Sequence, residues 1–316
     1  MKKPVIAIVG PTAVGKTSVG IEVAKHFSGE IINGDAFQVY RGLDIGTAKV
    51  TPEEKEGIPH HLIDILEPTD IYSAARFRQD AHRKMKEIEA RGNQPIIVGG
   101  TGMYIKGLTA DWSFSGVARN ESLRDRLEAR ATEEEGEIRL HDELRSLDQD
   151  AAERIHPHNV RKVVRALELL YADKHPPAPV QSENPSDKSH QVTIIGLTME
   201  RDLLYERIEA RVDKMIAEGL LSEVRALYDA GIRYTQSMKG IGYKELVAYL
   251  NGDDSWPEAI AQLKKNSRRF AKRQLTWFRN KEQVTWFEVD EDANQHLPEK
   301  ITAHLAGKLT HMSNGY

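Results

Sequence analysis

The chain contains short apolar runs, which are separated by longer stretches in which apolar residues recur at helical spacing. Such runs are typical of strands that are buried on both faces of a sheet, and in the first hundred residues they fall at 5–9, 30–32, 62–65 and 95–98. The segments between them have helical character, so strands and helices alternate. This alternation predicts a parallel α/β sheet flanked by helices.

The clearest predicted helix spans residues 73–90. Phe77, Ala81, Met85 and Ile88 recur at intervals of three or four residues and would share one helix face. Ser73 is a suitable N-cap. The sequence therefore predicts a helix that buries this apolar face against the sheet.

The alternation of strands and helices ends at about residue 113. Residues 120–173 are rich in charge and have a helical period, 173–190 is rich in proline, and the strand-like pattern returns at 192–197. We therefore predict an inserted all-helical domain at 113–190. Residues 1–112 and 191–316 would together form the α/β core with its helical C-terminal part.

The C-terminal third is predicted to be mainly helical up to an edge strand at 284–289. Within it, residues 263–279 contain seven lysines and arginines and no acidic residue. At 100° per residue the cations would occupy one half of a helix and the apolar residues the other. Solvated helix faces usually mix the two signs of charge, so this face predicts a site for a polyanion.

Composition narrows the possible classes of protein. The chain has 316 residues, no cysteine and a formal net charge of −4, so disulfides, cysteine-based metal sites and a general polycation are excluded. Any nucleic-acid surface must be a local patch. No stretch is long and apolar enough to span a bilayer, and a cytoplasmic location is the expectation.

A phosphate-binding loop follows the first predicted strand. Residues 10–17 read Gly10, Pro11, Thr12, Ala13, Val14, Gly15, Lys16 and Thr17, which matches GxxxxGK[ST] at every fixed position. The glycines let backbone N–H groups turn towards an anion, Lys16 supplies a charge, and the Thr17 hydroxyl can bind Mg²⁺. The loop therefore predicts a site for a diphosphate or triphosphate.

Two further polar residues are expected near this loop. Asp35 follows the strand at 30–32, and Thr101 follows the strand at 95–98. In a parallel sheet, ligands bind beyond the carboxyl ends of the strands. The strand at 95–98 ends in glycines rather than in the acid of an ordinary nucleotide hydrolase. Either Asp35 has a metal or base role, or the chain lacks such an acid.

Three functions are compatible with these features. The first is an enzyme that binds a diphosphate or triphosphate at the loop and a polyanion at the basic helix. The second is a small-molecule kinase with a helical lid, which would turn over ATP and would not need the basic helix. The third is a non-catalytic RNA-binding regulator, which the intact Gly15-Lys16-Thr17 argues against.

Several segments in this order resemble the tRNA dimethylallyltransferase family, the bacterial adenosine isopentenyltransferases. The resemblance covers nearly the whole chain to about residue 290, and the combination is far more specific than the phosphate loop alone. The segments lie at 10–17, 34–49, 72–75, 98–104, 154–157, 165–168, 207–212, 240–243 and 271–279.

The resemblance implies that a dimethylallyl group passes from dimethylallyl diphosphate to N6 of the adenosine 3′-adjacent to the anticodon of tRNA, releasing diphosphate. The phosphate loop and Mg²⁺ would hold the diphosphate, with Thr17 as the metal contact. Asp35 would be the general base, and Thr101 and Arg211 would complete the catalytic set. No γ-phosphate is cleaved in this reaction, which accounts for the missing hydrolase acid. We expect weak ATP binding with negligible hydrolysis.

The same resemblance and the basic clusters predict a surface for the anticodon stem-loop, and a monomer is expected. The predicted tRNA contacts are Asp35, Ala36, Phe37, Gln38, Thr101, Arg124, Arg161, Arg165, Lys272 and Arg273. One position departs from the family, because Ala36 stands where the family usually has serine. This removes one hydroxyl near the site.

Overall fold

The structure is a computed structural model of the chain, and it describes residues 3–109, 120–173, 190–290 and 296–313. Within these ranges, one parallel sheet contains six strands in the order β3-β2-β4-β1-β5-β6. The strands are β1 (Lys3–Val9), β2 (Gly29–Asn33), β3 (His60–His61), β4 (Gln94–Gly99), β5 (His190–Thr198) and β6 (Val284–Glu288). The predicted fold class is confirmed, and the last predicted strand lies at the edge of the sheet.

One strand prediction is wrong. The apolar run at 62–65 is not a strand, and β3 instead covers the two residues that precede it. Leu62 and Asp64 have φ angles of 61° and 55°, in the left-handed region where no strand can continue. The run turns the chain and buries Leu62 in the core.

The described helices surround this sheet or form a separate bundle. They are α1 (Lys16–His26), α2 (Ala74–Ala90), α3 (Gly102–Thr109), α4 (Glu121–Ala131), α5 (Gly136–Leu147), α6 (Gln149–Arg154), α7 (Val160–Asp173), α8 (Arg201–Ala217), α9 (Leu220–Asp229), α10 (Tyr243–Asn251), α11 (Trp256–Lys281) and α12 (Leu297–Ser313). The helix predicted at 73–90 is α2. The Ser73 side chain accepts a hydrogen bond from Arg76 N, and the four predicted apolar residues are buried.

The sheet divides the core into two apolar layers because successive strand residues point to opposite faces. Val5 and Val9 of β1 pack with α2, α10 and part of α11 on one face. Ile6 and Ile8 pack with α1 and α12 on the other. Both faces are covered, which explains why the strands are continuous apolar runs rather than alternating ones.

The chain divides into two compact units, one formed by Met1–Ala110 and Lys188–Tyr316 and the other by Asp111–Asp187. The second unit contains α4 to α7 around a separate apolar cluster that includes Leu127, Leu144 and Leu167. The predicted boundary at 113 and the proline-rich stretch from 174 lie outside the described residues. None of the described helices is long and apolar enough to cross a membrane.

Candidate active site

The phosphate loop connects β1 to α1, in the setting that the sequence predicts. Gly10, Ala13 and Gly15 have φ angles of 151°, 66° and 95°, so the backbone reverses before Lys16 begins α1. A Cβ atom on Gly10 would lie 2.6 Å from the Leu197 carbonyl oxygen of β5, so only glycine fits there. The Lys16 ammonium donates a hydrogen bond to the Pro11 carbonyl oxygen across the loop at 2.6 Å.

The charges around Lys16 are arranged for an anion. Burial and the nearby Arg211 guanidinium lower the pKa of Lys16 to about 7, against the opposing effect of Asp35. Burial also lowers the pKa of Arg211, and the carboxylates of Asp35 and Glu54 partly offset this. Two partly buried cations held close together carry an unfavourable energy that a bound anion would relieve.

Asp35 and Thr101 meet at the carboxyl ends of the neighbouring strands β2 and β4. Thr101 N–H donates to the Gly34 carbonyl at 3.2 Å, and the Thr101 hydroxyl accepts from Ala36 N–H at 3.2 Å. The Asp35 Oδ1 atom accepts from Phe37 N–H at 2.8 Å. This turn fixes the carboxylate of Asp35 and leaves its second oxygen available to a ligand.

Two glycines, the last residue of β4 and the first residue of α3, allow this close packing. A Cβ atom on Gly99 would lie 2.2 Å from the Gly34 carbonyl carbon, and one on Gly102 would lie 2.2 Å from the Trp277 ring of α11. Side chains at these positions would push the two strand ends and the helix apart. The glycines that the sequence shows in place of a hydrolase acid are therefore required by packing.

A pocket of about 460 Å³ opens at this rim of the sheet. Thr12, Asp35, Thr101, Arg211 and Arg273 contribute polar or charged groups to its wall. Much of the remaining wall is apolar and comes from Ala36, Phe37, Met103, Ile208, Val212, Met215, Ile241, Leu263, Phe270 and Trp277. The pocket can thus hold a ligand that has one charged end and one apolar end.

Glu223 holds one wall of this pocket, and the sequence analysis assigned it no role. Its carboxylate accepts hydrogen bonds from the N–H groups of Asp44, Ile45 and Gly46 at 2.8–3.1 Å, and from the Tyr243 hydroxyl at 2.6 Å. Burial and Glu223 raise the pKa of Tyr243, so its hydroxyl remains a donor. The segments that contain Gly46 and Tyr243 were recognised, but their partner on α9 carried no sequence signal.

The predicted RNA contacts in this unit lie in three different surroundings. Ala36, Phe37 and Arg273 line the pocket together with Asp35 and Thr101. Gln38 is used internally, because its side-chain amide donates to the Thr47 carbonyl at 3.2 Å. Lys272 is exposed on α11.

Helix α11 carries the predicted basic face, but two of its cations are paired. Lys264 donates to Asp213 at 2.8 Å, and Arg268 binds Glu209; both acids lie on α8. The other five cations within 263–279 are exposed: Lys265, Arg269, Lys272, Arg273 and Arg279. The sequence showed no acid within residues 263–279 and could not show that acids of the neighbouring helix α8 pair with this face.

In the helical unit, two of the arginines predicted to contact RNA are paired with a buried acid. Arg124 and Arg165 bind the Glu168 carboxylate at 2.8 and 2.9 Å, and the Glu168 side chain is only 1% exposed. Burial opposes the charge of Glu168, but hydrogen bonds from Arg165 and Asn120 N–H and the charge of Arg124 hold its pKa below the usual range. Arg161 is exposed, and its contact with RNA stays a prediction.

The residues at the phosphate loop fit a magnesium ion that is held mainly by its ligand. The described residues contain no group of three histidine or acidic side chains that could hold a metal by themselves. Mg²⁺ commonly uses only one or two protein groups together with substrate phosphates and water. The exposed Thr17 hydroxyl at the start of α1 is suited to such a contact.

Comparison with known proteins identifies the family. Residues 38–281 match the family model described as IPP transferase. The tRNA dimethylallyltransferases of Bacillus pumilus and Bacillus subtilis are each 50% identical to this chain over 309 residues, which is 98% of this chain and 97% and 98% of theirs.

Solved structures agree with this assignment. A full-length tRNA isopentenylpyrophosphate transferase from Bacillus halodurans is 47% identical, with a TM-score of 0.73 over 99% of this chain and 98% of its own. A eukaryotic dimethylallyltransferase, described as acting on tRNA, is 27% identical, with a TM-score of 0.75 over 96% of this chain and 78% of its own. The chain therefore belongs to the IPP transferase family and is an enzyme of the tRNA dimethylallyltransferase type, a prenyltransferase.

Proposed function

We propose that this enzyme transfers a dimethylallyl group from dimethylallyl diphosphate to N6 of the adenosine 3′-adjacent to the anticodon of tRNA, releasing diphosphate. The observation that carries the proposal is the pocket itself. It joins the Asp35 carboxylate, the Arg211 guanidinium and a broad apolar wall at the rim that bears the phosphate loop. A kinase or a regulator would not need this combination.

The charged end of the pocket suits the diphosphate. Lys16 and Arg211 are partly buried and close enough for the charge of Arg211 to lower the pKa of Lys16. The N-terminus of α1, which begins at Lys16, adds the positive end of a helix dipole. As the bond between the allylic carbon and the diphosphate oxygen breaks, negative charge grows on the leaving group. Groups fixed in place before the reaction stabilise that charge most effectively. When bound, Mg²⁺ would neutralise part of the diphosphate charge, with Thr17 as its protein contact.

The part of the pocket beside Asp35 and Thr101 suits the acceptor base. An exocyclic adenine amine is a weak nucleophile, and it must lose a proton as its nitrogen bonds to the allylic carbon. We assign the uptake of that proton to the second carboxylate oxygen of Asp35, and the hydrogen bond from Phe37 N–H to Oδ1 supports this because it orients the carboxylate. Thr101 lies beside Asp35 and could contact the base. The adenosine must leave its stack to reach this pocket, which costs a few kcal/mol.

The apolar wall suits the five-carbon chain of the donor. Ile208 and Val212 of α8, together with Leu263 and Phe270 of α11, offer a surface that excludes water from the reacting carbon. Exclusion of water matters because an allylic cation-like centre would otherwise be captured by water. The exposed cations of α11 and Arg161 are proposed to contact RNA phosphates. We propose a cytoplasmic monomer as the working form.

The test is incubation of the enzyme with dimethylallyl diphosphate, Mg²⁺ and unmodified tRNA, followed by mass spectrometry of the digested nucleosides. The expected product is adenosine that carries one dimethylallyl group at N6, at a single position beside the anticodon. A parallel incubation with ATP should release negligible phosphate. Rapid phosphate release that is stimulated by a small hydroxylated metabolite, with no modified nucleoside, would contradict the proposal.

A further inference from the structure

Gln274 is a buried polar residue on α11, on the opposite side of the helix from the exposed cations. Its amide makes two hydrogen bonds to two different loops. The Oε1 atom accepts from Thr12 N–H of the phosphate loop at 2.9 Å, and the Nε2 group donates to the Gly100 carbonyl at 3.0 Å. One side chain therefore joins the diphosphate loop to the loop that carries Thr101.

The glycine at position 100 indicates that this bridge is tightly fitted. A Cβ atom on Gly100 would lie 2.0 Å from Gln274 Nε2, and 3.3 Å from the Gly10 carbonyl of the phosphate loop. No side chain at position 100 could coexist with the bridge. Both amide functions of Gln274 are used, and an apolar residue of the same size would leave Thr12 N–H and the Gly100 carbonyl without these partners.

We infer that Gln274 is a positioning residue, which fixes the distance between the two loops that bind the two substrates. This inference rests on the proposed function, since it assigns the donor to one loop and the acceptor base to the other. Gln274 contacts the two loops at Thr12 and Gly100. We therefore expect it to affect the substrates only through the positions of these two residues. Displacement of reacting groups by about 1 Å can lower a rate about 100-fold.

The helix that provides the bridge also provides exposed cations, with Lys272 and Arg273 directly before Gln274 in the sequence. A single rigid element thus carries the proposed RNA contacts and the bridge between the loops. We expect substitution of Gln274 to change loop geometry while the exposed cations remain in place. Its effect should therefore appear in the transfer step and in diphosphate binding rather than in RNA affinity.

The experiment compares Gln274→Met with Gln262→Met, a matched change at an exposed position of the same helix. Inorganic pyrophosphate binding is measured by calorimetry, tRNA binding by filter retention, and prenyl transfer by single-turnover assay at saturating substrates. For Gln274→Met we expect a fall of about 10-fold to 100-fold in transfer rate. Pyrophosphate affinity should fall several-fold and tRNA affinity should stay within about twofold. Gln262→Met should resemble the wild type.

Gln274→Glu provides a readout that simple packing would not. A protonated carboxyl can donate to the Gly100 carbonyl and accept from Thr12 N–H, as the amide does, whereas an ionised carboxylate can only accept. Burial raises the pKa of a carboxyl group. The transfer rate of this variant, relative to the wild type, should therefore rise as the pH falls, and that of Gln274→Met should not.

A double substitution tests the contact with Gly100 directly. Gly100→Ala should expel Gln274 and impair transfer, because the new methyl group occupies the position of the amide. In the Gln274→Ala background that clash is absent, so adding Gly100→Ala should lower the rate far less. Substitutions that act through one contact are non-additive.

Three results would overturn the inference. One is wild-type transfer and pyrophosphate affinity in folded Gln274→Met. Another is a loss confined to tRNA affinity, which would make Gln274 a support for the helix alone. The third is full additivity of the Gly100 and Gln274 substitutions. Failure of the proposed function would be recognised separately, since the wild-type enzyme would then form no prenylated nucleoside although pyrophosphate binding could still respond to Gln274.

Discussion

Helices α7 and α11 both carry clusters of cations, and the paired cations differ in the acids that they bind: a buried acid of the same helix for α7, and two more exposed acids of α8 for α11. In α7, Arg165 is bound to buried Glu168, and Arg161 is exposed. In α11, Lys264 and Arg268 are paired with acids of α8, and five other cations are exposed. Helix α11 in addition provides part of the pocket wall. Similar charge patterns thus contain both structural ion pairs and candidate phosphate contacts.

The difference between the paired cation of α7 and the exposed cations follows from the burial of Glu168. Glu168 is almost completely removed from water, and an ion in that position requires partners that replace its hydration. Arg124 and Arg165 supply them. Exposed cations are hydrated by solvent, so they do not need an acidic partner and are available to bind a polyanion. A count of positive residues along a helix therefore overestimates its nucleic-acid surface until the acids on neighbouring helices are known.

The largest expected effect concerns the chemistry that we propose for Asp35 in the pocket. Asp35→Asn should lower the prenyl transfer rate by about 10²–10⁴-fold, because the amide can still accept from Phe37 N–H but cannot take a proton. Its tRNA affinity should stay within a few-fold of the wild type. Single-turnover kinetics and filter binding measure the two effects.

Arg161→Gln is the control for Asp35→Asn, because it removes a cation of α7 that lies outside the pocket. It should change tRNA affinity and leave the single-turnover rate at saturating tRNA unaltered. If Asp35→Asn were as fast as the wild type across a pH series, Asp35 would have no place in the mechanism.

The second prediction concerns the structural ion pairs. Arg124→Met should lower the free energy of unfolding of the helical unit by about 3 kcal/mol, since it removes one partner of a buried carboxylate. The exposed Arg161→Met should change it by less than about 0.5 kcal/mol. Urea unfolding followed by circular dichroism measures both. Equal stabilities of the two variants would show that the pairing of Glu168 has no energetic importance.

The third prediction separates paired from exposed cations on α11. Lys272→Gln should weaken binding of every tRNA alike and reduce the slope of log affinity against log salt concentration by about one unit. Lys264→Gln, whose lysine is already paired with Asp213, should leave that slope almost unchanged. Affinity measured over a series of salt concentrations tests this. Equal slopes for both variants and the wild type would mean that the exposed cations do not contact phosphates.

The smallest expected effect is a proton linkage at Lys16, a cation that is neither paired with an acid nor fully exposed. Because burial and Arg211 lower its pKa to about 7, Lys16 is largely neutral above that pH in the free enzyme. A bound diphosphate stabilises the ammonium form and raises its pKa, so binding takes up a proton and weakens as the pH rises above 7. The lowered pKa of Lys16 also reduces the stability of the folded state at every pH below the pKa that Lys16 has in the unfolded chain. This loss is complete below about pH 7 and disappears as the pH rises from 7 towards the pKa of the unfolded chain.

Calorimetry of pyrophosphate binding at pH 8, in buffers of different ionisation enthalpy, measures this uptake. On binding pyrophosphate, the wild type should take up close to one proton more than Lys16→Met does. Identical proton uptake by the two proteins would place the titration on another group.

The sequence alone determined the parallel sheet, the strand-loop-helix setting of the phosphate loop and the meeting of Asp35 with Thr101 at one rim. These features depend on local patterns, since apolar runs specify buried strands and parallel strands direct their carboxyl ends to the same edge. The one misplaced strand, at 62–65, had the right composition. Two of its residues have positive φ angles, which interrupt the extended backbone, and an apolar sequence pattern does not reveal such angles.

Only the tertiary structure decided which polar groups pair with one another. Gln274 bridges residues 12 and 100, and Glu223 holds the loop at 44–46. Glu168 engages Arg124, 44 positions earlier in the chain. Each partner lies on an element that is distant in sequence, so no local spacing encodes the contact. The physical cause is desolvation, because polar groups that the fold buries must be satisfied by whatever donors and acceptors the packing brings beside them.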